Sequence, residues 1–371
     1  MPKAIVSVTN DLYTDNRVNK VCLFLKEQGY DVLLVGRKRK LSNPLDPRSY
    51  KTKRIKLLIE KGAAFYAFFN LRLFFFLLFK KADLLVSNDL DTLFANYLAA
   101  GFKRNCRLVY DSHELFTEVP ELIDRPSVQR IWLRIEEWIF PKLETIYTVN
   151  GSIAEIYANK YNKKIHVVRN VSPKWEAIDV PSKESLGLPT DKALIIMQGA
   201  GINVERGGEE AVEAMKDLDA VLLFVGDGDV VPQLKARVQE LHLESKVLFF
   251  GKRPFNEMMC YTFHADIGLT LDKPRSLNYK FSLPNKVFDY IHARTAIVAT
   301  DIKEVRKILE KYQIGEIVEP FSEQTLASTL KALISDKVRL KSMKENTLSA
   351  AAVEHWEKEK ETLKIIYPKV G

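Results

Sequence analysis

Apolar positions along the chain gather into short runs of β-branched and aliphatic residues, each followed by polar turn residues and a stretch of helical period. Residues 4–8 ("AIVSV"), 31–35 ("DVLLV"), 83–87 ("DLLVS"), 107–111 ("RLVYD"), 145–149 ("TIYTV") and 165–168 ("IHVV") read as strands, with a helix from Asn16 to Gln28 after the first. Strands alternating with helices predict a parallel sheet covered by helices on its faces. The pattern pauses over Arg169 to Lys192, which holds three prolines and no clear period, and that interval reads as a linker. It resumes with "ALIIM" (193–197), "AVLLFV" (220–225), "KVLFF" (246–250), "ADIGLTL" (265–271) and "AIVAT" (296–300). The expected fold class is therefore α/β, with two doubly wound Rossmann-like domains facing across a cleft, spanning 1–172 and 173–350. A charged helix within 351–371 closes the chain and is expected to cross back to the first domain.

One apolar segment departs from the strand-and-helix rhythm, "FYAFFNLRLFFFLLFKK" from Phe65 to Lys81. Its uninterrupted part, Ala63 to Phe79, is shorter than the ~20 residues that usually cross a bilayer and carries Asn70 and Arg72 at its centre. Two readings remain open: a helix buried on the sheet, or one that also leans on a headgroup layer. Charge bears on that choice. The 371 residues include 56 Lys and Arg against 48 Asp and Glu, a net charge of +8, and much of the excess lies in "GRKRK" (36–40) and "KTKRIK" (51–56) just before the apolar segment. An anionic membrane surface is thus a candidate partner, whereas nucleic acid is not expected, because no recognised binding motif accompanies the charge.

Hydrophobic residues make up 46% of the chain and charged residues 28%, the balance of a folded globular protein with no low-complexity tract. Cys22, Cys106 and Cys260 are odd in number and far apart in apolar surroundings, which argues against a disulfide framework or a zinc site. The amino terminus lacks the pattern of a secretory signal. The expected location is the cytoplasm, with a peripheral position at the inner face of the membrane as the extension of the charge argument.

Candidate chemistry lies just after the strands. "RLVY" is followed by Asp111-Ser112-His113-Glu114, three titratable groups at one strand end, of which a histidine suits proton transfer or polar contacts near neutral pH. In the second half "QGAGINVERGGEEA" sets Gly199, Gly201 and Arg206 between a strand and a helix, and "LLFVGDGD" and "LFFGKR" repeat the strand-then-glycine design at Gly226 and Gly251. Glycines admit phosphates to the backbone, and a helix start favours negative charge. In "SLPNKVFDYIHA" the residues Asn285, Lys286 and Asp289 stand at a helix start, where the first two could hold phosphate oxygens and the third ribose hydroxyls, or where all three could form a cap with a surface Lys–Asp pair. The triplets Asp89-Leu90-Asp91 and Asp227-Gly228-Asp229 could hold a divalent ion but serve equally as turns, and no metal is expected. A serine hydrolase is poorly supported, since no Gly-x-Ser-x-Gly elbow occurs.

Taken in order, "VYDSHELF", "QGAGINVERGG", "VGDGD", "LFFGKRP", "ADIGLTL", "SLPNKVFDYIHARTAIVAT" and the Trp356-x-x-Glu359 pair resemble the retaining glycosyltransferases of the GT-B fold, family 4 above all, over nearly the whole chain. The resemblance implies an acceptor-binding first domain, a second domain that binds a nucleotide sugar, transfer with retained configuration, and no cofactor or metal. It implies His113 near the donor sugar and Arg206 on the diphosphate, and the place of Lys286 at a helix start adds it as a third residue of the catalytic centre. Gly199, Gly201, Gly226, the loop Phe250-Gly251-Lys252, Asn285 and Asp289 would hold the UDP- or GDP-linked donor. Asn16, Arg17, Asp111 and Glu114 would meet the acceptor, a glycan or a lipid-linked precursor of a polysaccharide. Two positions depart from the family pattern: Phe281 stands where a first glutamate is usual, and Ala200 where a basic residue often binds diphosphate, a charge Lys286 is expected to replace. A nucleotide-sugar epimerase of the same architecture and a non-catalytic sugar-nucleotide-binding protein are the alternatives.

Overall fold

The computed structural model describes residues 1–13 and 15–369. It divides into two units, which are described separately. The first comprises Met1–Asn170 together with the short segment Ser276–Asn278 and the carboxy-terminal stretch from Glu359. The second comprises Val171–Arg275 and Tyr279–Lys358. The final helix, Trp356–Ile366, therefore passes from one unit's residues into the other's, and residues 370–371 lie outside the described ones.

In the first unit the strands are β1 (Lys3–Asp11), β2 (Asp31–Lys38), β3 (Lys51–Lys56), β4 (Leu84–Asn88), β5 (Arg107–Ser112), β6 (Thr145–Thr148) and β7 (His166–Val167). They form a parallel sheet in the order β3-β2-β1-β4-β5-β6-β7, so the chain winds outward from β1 in one direction and then in the other. The reversal lies between β1 and β4, the kind of place where doubly wound sheets bind ligands. All five residues of β4 are buried, as expected of a central strand covered by helices on both faces. Helix Asn16–Glu27 starts where Asp15 accepts a hydrogen bond from the Val18 amide at 3.1 Å, and helix Gly62–Phe79 presses Phe65, Phe69, Leu73 and Leu77 onto Ile5, Val35 and Leu85 of the sheet.

In the second unit β8 (Ala193–Gly199), β9 (Ala220–Gly226), β10 (Val247–Phe249), β11 (Ile267–Thr270), β12 (Ala296–Thr300) and β13 (Gly315–Val318) form a parallel sheet in the order β10-β9-β8-β11-β12-β13. Alternate residues of one strand feed different layers: Ile195 and Met197 join one core cluster while Leu194 and Ile196 join another. That division explains why these strands read as unbroken apolar runs.

Two strands were not legible as apolar runs, and both are sheet edges. The basic run Lys51–Lys56 is β3, with Ile55 as its buried residue, and its outward lysines suit an exposed edge because they discourage pairing with another chain. β13 is the opposite kind of case, a short "GEIV" whose residues are mostly half-buried.

Glycine geometry distinguishes loops that pack from loops that stay open. A Cβ added to Gly226, at φ +155°, would lie 1.9 Å from the Gly199 carbonyl oxygen, whereas one added to Gly199 or Gly201 would meet nothing within 4 Å. Gly226 therefore packs one strand end against its neighbour. Gly226→Ala is expected to lower the unfolding free energy by roughly 2–3 kcal/mol. In the same urea titration Gly101→Ala, with open space around its Cβ and a φ outside the left-handed region, should raise it by about 0.4–1 kcal/mol.

Candidate active site

The first unit carries a closed network of charge at the ends of β4 and β5. Parallel register sets Asn88 opposite Asp111, so the residues that follow each strand emerge side by side. Asp111 is fully buried and takes a two-pronged contact from Arg17, Nη2 to Oδ1 at 2.7 Å and Nε to Oδ2 at 3.2 Å. The third edge of that guanidinium donates to the Val168 carbonyl at 2.9 Å, and its central carbon lies 5.7 Å from the Tyr147 ring centre. His113 then bridges the two strand ends. Its Nε2 is 3.2 Å from Asp111 Oδ2 and 3.1 Å from Asn88 Oδ1, its Nδ1 is 3.3 Å from Asp89 Oδ2, and its backbone N–H donates to Asp89 Oδ1 at 2.7 Å. Asp89 reaches this position from a left-handed backbone, φ 57°, an uncommon conformation for a residue other than glycine.

The titration behaviour follows from that geometry. Burial by itself would raise the Asp111 carboxyl, but Arg17 and His113 overcome it and bring the pKa down to about 2. Burial by itself would lower His113, yet Asp89 and Asp111 outweigh it and lift the imidazolium to about 9. Asp89 is raised by burial, with His113 opposing. His113 is thus held as a cation at neutral pH, a donor that remains 17% exposed. Glu114 is half-buried, its carboxyl raised by burial, and Asn278 donates to it at 3.1 Å while accepting from the Leu115 amide at 2.9 Å.

The second unit offers a different arrangement. Arg206, in the loop after β8, pairs with the buried Asp272 beyond β11, and its guanidinium lies 4.8 Å from the centre of the Tyr279 ring. Lys286 opens the helix Lys286–His292. Its ammonium pKa is lowered by burial and by Arg206, with Asp272 and Asp289 opposing, and it makes no hydrogen bond or ion pair among the described residues. Asn285 is exposed and its side chain does not cap the helix. Gly251 is exposed at φ +67° with open space around it, next to the exposed Lys252.

Several expectations are corrected by these contacts. Arg17 and Asp111 do not present free groups to an acceptor, because each is buried and committed to the other and to Val168 or His113. Asn16, by contrast, is exposed. Asp289 is a buried anchor rather than an open ribose contact: Ser172 Oγ donates to one oxygen at 2.5 Å and Gln198 Nε2 to the other at 3.0 Å. Gly226 has a packing role, and the Phe250 ring turns inward to Tyr261, with centroids 4.7 Å apart. The ring of Phe281 lies 5.5 Å from the Lys303 ammonium, and Ala200 is exposed. Asp89 and Asp272, the partners that hold His113 and Arg206, were not identified as such from the sequence. The available signal was their position just beyond β4 and β11.

Comparison with known proteins agrees with this architecture. The model for "Glycosyltransferase Family 4" matches residues 16–171, and that for "Glycosyl transferases group 1" matches residues 181–349. No curated protein sequence matches the chain. Among solved structures, sucrose-phosphate synthase from Thermosynechococcus elongatus is similar at a TM-score of 0.81 and 15% identity, over 99% of this chain and 98% of that one. WaaG, a glycosyltransferase involved in lipopolysaccharide biosynthesis, gives 0.74 at 14% identity over 98% and 100%, and HepE from Anabaena, in complex with UDP and glucose, gives 0.72 at 14% over 100% of each. At such identities the likeness is one of fold.

The raised pKa of His113 has a consequence for stability. A base whose folded pKa rises from 6.5 to about 9 adds stability that is complete below about pH 6.5 and is lost as pH climbs through about 9. His113→Gln should therefore cost on the order of 2 kcal/mol at pH 6 and progressively less towards pH 10 in denaturant titrations. A pH-independent difference would contradict the ion-pair assignment.

Proposed function

Since the chain is a glycosyltransferase of the GT-B fold, family 4-like, we propose that it transfers a sugar from a nucleoside-diphosphate donor to a glycan or lipid-linked acceptor with retention of configuration. The observation that carries this reading is the state of Lys286. This half-exposed ammonium makes no hydrogen bond or ion pair among the described residues, and an anionic oxygen placed against it would supply one. Arg206 stands within electrostatic reach of Lys286, oriented by Asp272 and Tyr279, and its guanidinium stays partly exposed for a second phosphate. The open backbone at Gly199 and Gly201 leaves room for a ligand at the end of the same sheet. UDP is the first candidate nucleotide, because HepE, similar in fold, is described in complex with UDP and glucose.

In the transfer step negative charge grows on the departing diphosphate as its bond to the sugar's anomeric carbon breaks. Arg206 and Lys286 are assigned to stabilise that charge, which lowers the barrier only to the extent that they hold the leaving group more tightly than the intact donor. His113, with its two ring nitrogens directed at Asp89 and Asp111, is assigned to place its charge and its partly exposed ring beside the donor sugar, and Glu114 and Asn16 are offered to the acceptor. No covalent nucleophile is assigned.

Isothermal titration with UDP tests the assignment. Lys286→Ala should weaken UDP binding about 10- to 100-fold, the range for hydrogen bonds to a charged group, without lowering stability in urea. Because the Lys286 pKa is depressed below the ordinary 10.5, affinity should fall with rising pH before that value is reached. UDP and GDP binding that is unchanged in Lys286→Ala would place the diphosphate elsewhere. Arg206→Ala should weaken binding and also destabilise the fold by roughly 1–3 kcal/mol, since the buried Asp272 would lose its cation.

A further inference from the structure

Helix Gly62–Phe79 carries two apolar stripes where one would suffice. Phe65, Phe69, Leu73 and Leu77 recur every four residues and are buried in the core of the first unit. On the opposite side Phe68, Leu71, Phe75 and Phe79 recur at helical spacings of three and four and face outward, with Phe79 81% exposed. An amphipathic surface helix would carry polar residues on that outer side. At the carboxy-terminal end Phe102, just past the neighbouring helix Leu90–Gly101 and 72% exposed, extends the apolar surface, its ring 6.1 Å from that of the half-buried Phe74.

Cations border this apolar strip. Arg72 lies on the outer side of the helix, and Lys80, Lys81 and Arg104 are exposed around Phe79 and Phe102. Lys103 ties the two helix ends together by donating to the carbonyls of Leu78 and Lys80 at 3.2 and 2.7 Å. Upstream, Leu58 is 94% exposed beside Lys56 and Lys61.

By length and composition this helix could cross a membrane, but its inner stripe is built into a sheet, which fits a helix lying along a surface. We propose that the outer face of helix Gly62–Phe79, with Phe102 and the surrounding lysines and arginines, docks on an anionic lipid bilayer. The phenylalanines enter the boundary between headgroups and acyl chains while the cations meet lipid phosphates. A second copy of the chain is the poorer occupant, because an isologous contact through this patch would bring its cationic rim against itself. Docking here would present the first unit to an acceptor anchored in the same bilayer. That last step rests on the function proposed above, and the docking itself does not.

Vesicle flotation of the full chain tests the proposal, using phosphatidylcholine alone and phosphatidylcholine mixed with phosphatidylglycerol. The wild type should float with the mixed vesicles far more than with the neutral ones, and less as salt is raised. Lys80→Ala with Lys81→Ala should reduce the partition coefficient roughly 25-fold, at about fivefold per basic residue. Phe75→Ser with Phe79→Ser should abolish flotation. Both double variants should keep the wild-type melting temperature and the wild-type UDP titration, which shows that they fold. Failure of the wild type to float, equal flotation with both vesicle types, or undiminished flotation of the phenylalanine variant would each overturn the proposal. So would a concentration-dependent dimer, seen by light scattering, that the phenylalanine variant abolishes. Loss of UDP binding in the wild type would strike the proposed function and leave this surface untouched.

Discussion

In-register parallel pairing is the constraint on which the candidate site of each unit depends. Because Asn88 lies opposite Asp111, the chain leaves β4 and β5 at the same level, and Asp89 and His113 meet although they are far apart in sequence. Because Gly199 lies opposite Gly226, two loops leave β8 and β9 together and approach so closely that one of them has no room for a side chain. A slip of one residue would turn every buried strand residue to the opposite face of its sheet and separate these groups. The apolar cores that hold the register therefore also hold the chemistry.

The two sites use charge in opposite ways. In the first unit the charges are satisfied internally: Arg17 and His113 both lean on Asp111, and Asp89 closes the array from the other side. Such a network is costly to desolvate and strongly destabilised by loss of one member, which suits a scaffold that must hold one imidazolium in one orientation. In the second unit the account is left open. Arg206 has its partner in Asp272, while the half-exposed Lys286 has like charge nearby and no hydrogen bond of its own among the described residues.

Legibility from the sequence followed burial. Central strands such as "LLVSN" and "AIVAT" are covered on both sides and announce themselves as apolar runs, whereas the edge strands Lys51–Lys56 and Gly315–Val318 face solvent and carry little apolar signal. The same limit applies to the sites. His113 and Arg206 are visible as polar residues beyond strand ends, but Asp272 reaches Arg206 across 66 residues and Asp89 reaches His113 across 24, pairings that no local pattern encodes. Asp289 is the instructive case: its place in a helix start suggested a ligand contact, and only the approach of Ser172 and Gln198 showed it to be an internal anchor.

Period and composition alone determined that this chain makes two parallel α/β sheets, where its loops bear glycine and charge, and that one helix is unusually apolar. These properties are carried by neighbouring residues and by the spacing of 2 or 3.6 at which side chains share a face. Tertiary structure decided which polar groups are spent on each other and which remain available, because hydrogen bonds and ion pairs join residues by distance in space. For Arg17 and Asp111 that meant mutual burial, for Lys286 an ammonium without a partner, and for Phe75 and Phe79 a place on the outside.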